Sequence, residues 1–246
     1  MAATASIIPT KNIFGLLLAG GGVLLVLCGV PAFISGLIIL PTEATRDRLY
    51  THNNLTPAET EAFARNRAAA QRFWPSAKMH DDMAMAALRH AEANVGDFSQ
   101  FTQLLRAVEK RQTTNLALQP ANPFGWARLA YVRGLLYGPS ILVTLPLEKS
   151  IQTGLYEPDL MVSRATLLMN TQKFHTPYLR EVFERQMITA WDWQVTRFAL
   201  TQAAIDGGWI DQLYALYGAK APSRLPELKR VEQAVYWRMK KEPPAR

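Results

Sequence analysis

An uninterrupted apolar run from Ile13 to Leu40 constrains the fold of this 246-residue chain more than any other feature. The run contains no charged residue, and Ser35 is its only clearly polar side chain. About 20 apolar residues in helical form cross the hydrocarbon core of a bilayer, so this segment is long enough to span one. In a water-soluble fold it would have to be buried on every side. The sequence therefore predicts a single transmembrane helix over residues 13–40.

Two other interpretations of the apolar run are open. A cleaved signal peptide has a shorter apolar core followed by a small-residue cleavage site. A lipoprotein signal would use Cys28, the sole cysteine of the sequence, but Leu27 precedes it where such signals have a small side chain. We therefore interpret Cys28 as an apolar residue of the anchor.

The anchor divides the chain into five predicted segments. They are an N-terminal tail over 1–12, the anchor over 13–40, a polar linker over 41–55, a helical domain over 56–241 and a disordered tail over 242–246. Basic residues are nearly balanced across the anchor, so they do not fix its orientation. Long domains cross membranes largely regardless of charge, so we expect the helical domain in the periplasm of a bacterium, with the anchor in the inner membrane.

Glycines are concentrated in the predicted anchor. Gly20, Gly21 and Gly22 are consecutive, and Gly29 and Gly36 follow Gly22 at seven-residue steps. Small residues allow spanning helices to approach one another closely. We predict that these five glycines pack against spanning helices of a membrane protein partner.

Helical periodicity and helix-terminal signals dominate residues 56–241. Thr56, Pro57 and Glu59 form the pattern of a capping box at the start of a helix. Further helices are expected at about 82–93, 98–118, 160–170, 177–206, 209–217 and 226–241. The sequence lacks the period-two alternation of strands. The predicted fold class is all-α, with a transmembrane helix followed by a repeat-like helical domain.

The stretch LALQPANPFGWARLAYVRGLLYG contains a proline turn followed by Trp126, Leu129 and Ala130. Here the chain resembles the tetratricopeptide (TPR) family of helical hairpins, in which an aromatic, a leucine and a small residue follow the turn at this spacing. The resemblance implies a TPR-like array of antiparallel helix pairs, and stacked pairs commonly bind partner proteins. Arg133 departs from the pattern, which has an aromatic there, and Pro146 is expected to interrupt the partner helix.

Three phrases, NPFGWARLAYVRGLLYGPS, LEKSIQTGLYEPDL and AWDWQVTRFAL, are similar to singly anchored helical accessory proteins encoded with bacterial exopolysaccharide biosynthesis and export machinery. This similarity covers about residues 119–217. It implies a scaffold that binds a membrane protein partner or complex without doing chemistry itself. An accessory subunit of another membrane complex, such as a respiratory one, and a membrane-anchored hydrolase are the alternatives.

Sequence signatures of catalysis are missing. The chain has neither a phosphate-binding glycine loop outside the anchor nor a nucleophile elbow. His80, Asp81 and Asp82 are adjacent, but His90 is ten residues further on, which does not align two metal ligands on one helix face. We predict instead that Asp81 or Asp82 caps the next helix. We therefore predict no catalytic residue, cofactor or metal, and we do not expect an enzyme.

Charge suggests what the helical domain contacts. All acidic residues and every basic residue except Lys11 follow Leu40, and the net charge of the chain is +7. This excess suits lipid headgroups or acidic partners, whereas the scattered charges and the lack of a known module argue against nucleic acid. The predicted partner-binding residues are Arg128, Arg133 and Arg164, as an anion-binding surface, and Trp193. Solvated or ion-paired arginines are the alternative.

Overall fold

The computed structural model describes residues 10–51 and 55–241, and within those ranges every regular element is a helix. The predicted all-α fold class is therefore confirmed. The predicted tail over 242–246 and residues 1–9 of the predicted N-terminal tail lie outside the described residues. In chain order the α-helices are α1 Thr10–Ile39, α2 Glu43–Tyr50, α3 Pro57–Gln71, α4 Ala77–Glu92, α5 Phe98–Leu118, α6 Pro123–Tyr137, α7 Ile141–Thr153, α8 Pro158–Asn170, α9 Pro177–Asp192, α10 Gln194–Asp206, α11 Ile210–Lys220 and α12 Leu225–Lys241.

The chain divides into two compact units between Asp97 and Phe98. Unit 1 contains α1 to α4, and unit 2 contains α5 to α12. The sequence predicts one helical domain over 56–241, whereas the structure groups α3 and α4 with the apolar helix. The reason is that α3 packs against α1, and α4 packs against both α2 and α3.

The apolar run forms α1, a helix of 30 residues with Pro31 in its interior. A helix of this length is about 45 Å long, which exceeds the roughly 30 Å hydrocarbon core of a bilayer. Within the described ranges, one helix is long and apolar enough to cross a membrane, and it is this N-terminal one.

The predicted linker over 41–55 is helical for much of its length. A short 3-10 turn at Leu40–Thr42 leads directly into α2. Leu49 of α2 is buried in the core of unit 1 with Phe63 of α3 and Ala86 of α4. The polar side chains of α2 made this segment resemble a linker, but several of them pair with α3 and α4.

The capping box at the start of α3 is confirmed. The Thr56 hydroxyl accepts from the Glu59 N–H at 3.2 Å, and the Glu59 carboxylate accepts from the Thr56 N–H at 2.8 Å. The prediction that Asp81 or Asp82 caps the next helix is wrong. That helix, α4, begins at Ala77, and its cap is Ser76, whose hydroxyl accepts from the Met79 N–H at 3.2 Å.

Helical hairpins follow one another in unit 2. α6 pairs with α7 and α8 with α9, while α6 packs against α8 and α8 against α10. Leu129 and Ala130 are buried, as the tetratricopeptide resemblance implies. Trp126 is partly exposed, and its Nε1 donates to the Pro120 carbonyl at 2.8 Å. Neighbouring hairpins are the layout that the resemblance implies, while membership of the family stays a prediction.

The helix predicted over 177–206 is divided into α9 and α10 at Trp193, whose backbone is extended, with φ of −80° and ψ of 114°. The side chains of Thr196 and Arg197 donate to carbonyl oxygens at the end of α9. Such bonds satisfy carbonyls that a helix end leaves without a partner. As a result Val195, the second residue of α10, is 80% exposed.

Candidate functional site

A groove in unit 2 lies between α6, the start of α7 and α8. Its volume is about 370 Å³. The walls are mostly apolar, and Tyr131 and Leu135 on α6 remain 38% and 41% exposed, so the groove is open to solvent. Its apolar lining residues are Tyr131, Leu135, Pro139, Val143 and Leu167.

Two glycines shape this groove. Gly134 lies in its wall, where an added Cβ would sit 3.8 Å from the Leu167 side chain, so a larger side chain would enter the groove. Gly138 ends α6 with a φ of +66°, a conformation that favours glycine. The turn at Gly138 leads into Pro139 and Val143, which also line the groove. The depth of the groove therefore depends on residue 134 being a glycine, which has no side chain to fill it.

Three hydroxyl groups of the groove lining are bonded to the protein backbone. Ser163 donates to the Leu160 carbonyl at 3.1 Å, and Thr166 donates to the Val162 carbonyl at 3.0 Å. Thr171 likewise donates within its own helix turn. Among the described residues, no charged side chain lines the groove. The groove is therefore suited to apolar groups and presents no convergent set of catalytic side chains.

More apolar surface is exposed at the start of α7. Ile141, Leu142 and Leu145 are 47%, 43% and 50% exposed. They lie within a few residues of the groove residues Pro139 and Val143. Clustered exposed apolar side chains are typical of surfaces that bind another molecule.

Two of the predicted partner-binding arginines are buried. Arg128 is 6% exposed, and its Nη1 donates to the Gln112 side chain at 3.2 Å. Arg164 is fully buried and donates to the Ser150 hydroxyl and to the Gly154 carbonyl, the latter at 2.6 Å. Burial lowers the pKa of Arg164 to about 10. Both arginines thus have structural contacts within unit 2, Arg128 between α6 and α5 and Arg164 between α8 and the end of α7. Their role in binding a partner stays a prediction.

Arg133 has a structural role between three helices. It forms an ion pair with Glu109 of α5 at 2.7 Å, and its Nη1 donates to the Leu142 carbonyl of α7 at 3.3 Å. That carbonyl faces Pro146, which lacks the N–H that would bond it in a regular helix. Arg133 therefore supplies the donor that Pro146 cannot, and α7 continues through the proline instead of being interrupted as predicted.

Trp193 is the predicted partner-binding residue that keeps a large exposed surface, at 41%. It lies at the break between α9 and α10 and is not part of the groove lining. The structure thus does not bring the four predicted residues to one surface. The groove residues were missed because Tyr131 and Leu135 lie at a helical spacing that is also typical of a core.

The five predicted packing glycines of α1 are open to their surroundings. A Cβ added at Gly20, Gly21, Gly22, Gly29 or Gly36 would meet no atom of the described chain within 4 Å. No described part of the chain therefore covers this surface, and its role in packing stays a prediction.

A buried polar network, which we call the junction network, connects the end of α1 with α2, α3 and α4. The Arg67 guanidinium donates to Asp82 at 3.0 Å, to Glu43 at 2.8 Å and to the Ile39 carbonyl of α1 at 3.3 Å. Asp82 also accepts from Arg46 at 2.9 Å. The network thereby satisfies a carbonyl at the end of α1 and fixes this end to the rest of unit 1.

Asp82, a member of the histidine and aspartate cluster in the sequence, is thus engaged by arginines. Within the described ranges, no group of three or more His, Cys, Asp or Glu residues is placed to hold a metal.

No family model, curated protein or solved structure matches the chain.

Proposed function

We propose that this chain is a membrane-anchored helical scaffold that binds an apolar segment of a membrane protein partner in the groove between α6, α7 and α8. The chemistry of the groove carries the proposal. Its walls are mostly apolar and the hydroxyls of Ser163, Thr166 and Thr171 are bonded to the backbone, so the burial of apolar side chains is the main interaction that it offers.

The apolar helix supports the anchoring half of the proposal. α1 spans the membrane, and Asn66 and Arg67 of α3 donate to the Ile38 and Ile39 carbonyls at its end. A tether raises the effective concentration of the groove near membrane partners, so even a weak groove contact becomes occupied. The orientation that we propose places unit 2 in the bacterial periplasm, since long domains cross largely regardless of charge.

The resemblance of three sequence phrases suggests the kind of partner. We propose a membrane protein of envelope polysaccharide assembly or export. The groove itself supports binding and not chemistry, because its lining residues include no nucleophile beside a base and no pair of carboxylates.

Filling the groove tests this function. Gly134→Leu places a side chain in it, whereas Gly134→Ala adds one methyl group at ordinary contact distance from Leu167 and is the matched control. Both variants should raise the helix propensity of α6. Each full-length protein is purified from its native membrane in mild detergent, and co-purifying proteins are identified by mass spectrometry.

The expected result is a membrane protein that co-purifies with the wild type and Gly134→Ala and is lost with Gly134→Leu. Equal capture by all three proteins, with equal helix content by circular dichroism, would refute binding in the groove. Proteins of polysaccharide assembly among those lost would support the proposed partner class.

A second candidate function is that of an accessory subunit whose spanning helix packs into another membrane complex. The uncovered glycines of α1 favour it, because no described part of the chain fills the space beside them. Replacing α1 with an unrelated spanning helix distinguishes the two. A partner that is lost on this replacement but kept by Gly134→Leu is held by the anchor and not by the groove.

A further inference from the structure

One face of α12 is cationic and centred on a tryptophan. At 100° per residue, Lys229, Arg230, Trp237, Lys240 and Lys241 lie on the side of the helix opposite Leu228 and Val235. Leu228 and Val235 are fully buried, and the five opposing side chains are exposed. We call these five residues the α12 outer face.

The two acidic residues of α12 lie outside this face at 100° per residue. Glu227 accepts from Arg197 of α10 at 2.5 Å, and Glu232 accepts from the Tyr214 hydroxyl of α11 at 2.6 Å. Both carboxylates thus serve contacts within unit 2. The outer face therefore carries four basic side chains and no acidic one.

Trp237 is 62% exposed, and the Lys241 ammonium lies 4.1 Å from its ring centroid. An indole surrounded by lysine and arginine is typical of the boundary between lipid headgroups and acyl chains, where the ring is partly immersed and the cations contact phosphates. Each basic side chain near an anionic leaflet contributes about fivefold to membrane partitioning.

We propose that the α12 outer face binds the anionic headgroup surface of a lipid bilayer and so forms a second membrane contact in addition to α1. The proposal rests on the proposed anchoring of the chain by α1, which keeps unit 2 at a membrane. Lysines on flexible stems provide point charges without fixed geometry, which suits a fluid array of phosphates better than a structured partner.

Fluorescence quenching in nanodiscs tests this proposal with the full-length chain. The bilayers contain phosphatidylcholine alone, or phosphatidylcholine mixed with phosphatidylglycerol, and both carry brominated acyl chains that quench nearby tryptophan. The signal of Trp237 is the difference between the wild type and Trp237→Phe. The charge variant combines Lys229→Gln, Arg230→Gln, Lys240→Gln and Lys241→Gln. Its matched control removes four exposed basic residues elsewhere in unit 2, by Lys110→Gln, Arg111→Gln, Lys149→Gln and Lys173→Gln.

We expect Trp237 to be quenched at least about twofold more strongly in bilayers that contain phosphatidylglycerol than in phosphatidylcholine alone. This excess quenching should be lost in the charge variant and at high salt. The control variant should keep it. Equal quenching in both bilayers, or equal loss in both variants, overturns the proposal. Failure of the protein to enter nanodiscs of either kind overturns the anchoring by α1. Insertion without lipid-dependent quenching of Trp237 overturns only the second contact.

Discussion

Arg67 and Asp82 form an ion pair in which each side chain is 1% exposed, with 3.0 Å between Nε of Arg67 and the carboxylate. The same carboxylate also accepts from Arg46 and from the Tyr50 hydroxyl. Helices α2, α3 and α4 thus share one buried anion, and Arg67 extends the contact to the end of α1. Unit 1 therefore holds the C-terminal end of α1 through Arg67, whose ion pair with Asp82 is buried.

Replacing Asp82 tests this relationship. Asp82→Asn keeps the shape but leaves the buried Arg67 without its main counter-charge, which should lower the free energy of unfolding by about 3 to 5 kcal/mol. The measurement is urea unfolding of the full-length protein in detergent, followed by circular dichroism. Glu61→Gln is the control, because Glu61 pairs with Arg65 on the surface and should cost less than about 1 kcal/mol. Equal effects of the two substitutions would contradict the role of the junction network.

Pro146 and Arg133 should be energetically coupled. Arg133→Met removes the donor to the Leu142 carbonyl and should lower the free energy of unfolding by about 1 to 2 kcal/mol. Pro146→Ala restores a helical N–H that can bond this carbonyl. Arg133→Met should therefore destabilise the Pro146→Ala protein less than it destabilises the wild type. A double-mutant cycle should give a coupling of about 0.5 to 1.5 kcal/mol. Strict additivity would show that Arg133 acts only through its ion pair with Glu109.

Local signals predicted a large part of the fold. Thr56 and Glu59 form a capping box within one helical turn, and α5 covers 98–118 as periodicity indicated. α10 ends at Asp206, where the predicted helix over 177–206 ends, and Gly208 follows it with a φ of +69°. These features depend on interactions between residues that are close in sequence, so the local sequence pattern is enough to predict them.

Contacts between distant residues could not be predicted in this way. Asp82 resembled a helix cap, and its burial depends on Arg67, which lies fifteen residues earlier on another helix. Arg164 resembled a surface residue because its acceptors are the Ser150 hydroxyl and two backbone carbonyls at the end of α7, and no pattern of charged side chains reveals them. The groove depends on the space beside Gly134, and a missing side chain gives no periodic signal.

The capping box should make the stability of α3 depend on pH. Hydrogen bonds from the Thr56 backbone, from Arg48 and from the Thr56 hydroxyl lower the pKa of Glu59 from 4.5 to about 2. Because the folded state holds the ionised form, its contribution is complete above 4.5 and is lost as the pH falls through about 2. The difference in unfolding midpoint between the wild type and Glu59→Gln should therefore shrink over this interval. A difference that is constant across the interval would contradict the lowered pKa.

Substitutions of Arg164 test whether this residue stabilises the fold or binds a partner. Its guanidinium donates to the carbonyls of Ser150 and Gly154 at the end of α7, where a helix leaves acceptors without partners and favours a positive charge. Arg164→Met would remove the donor to the Gly154 carbonyl and one of the donors to the Ser150 carbonyl, which also accepts from the Gly154 N–H, and should destabilise unit 2 by about 1 to 3 kcal/mol.

Arg164→Lys keeps the charge but loses the fork that reaches several acceptors, so it should fall between the wild type and Arg164→Met. The measurement is the unfolding midpoint of the full-length protein, together with co-purification of partners below that midpoint. A variant that unfolds like the wild type but loses its partner would show that Arg164 binds the partner directly. Lower stability with partner binding retained is the expected result, because a fully buried guanidinium supports α7 and α8 and cannot contact a partner.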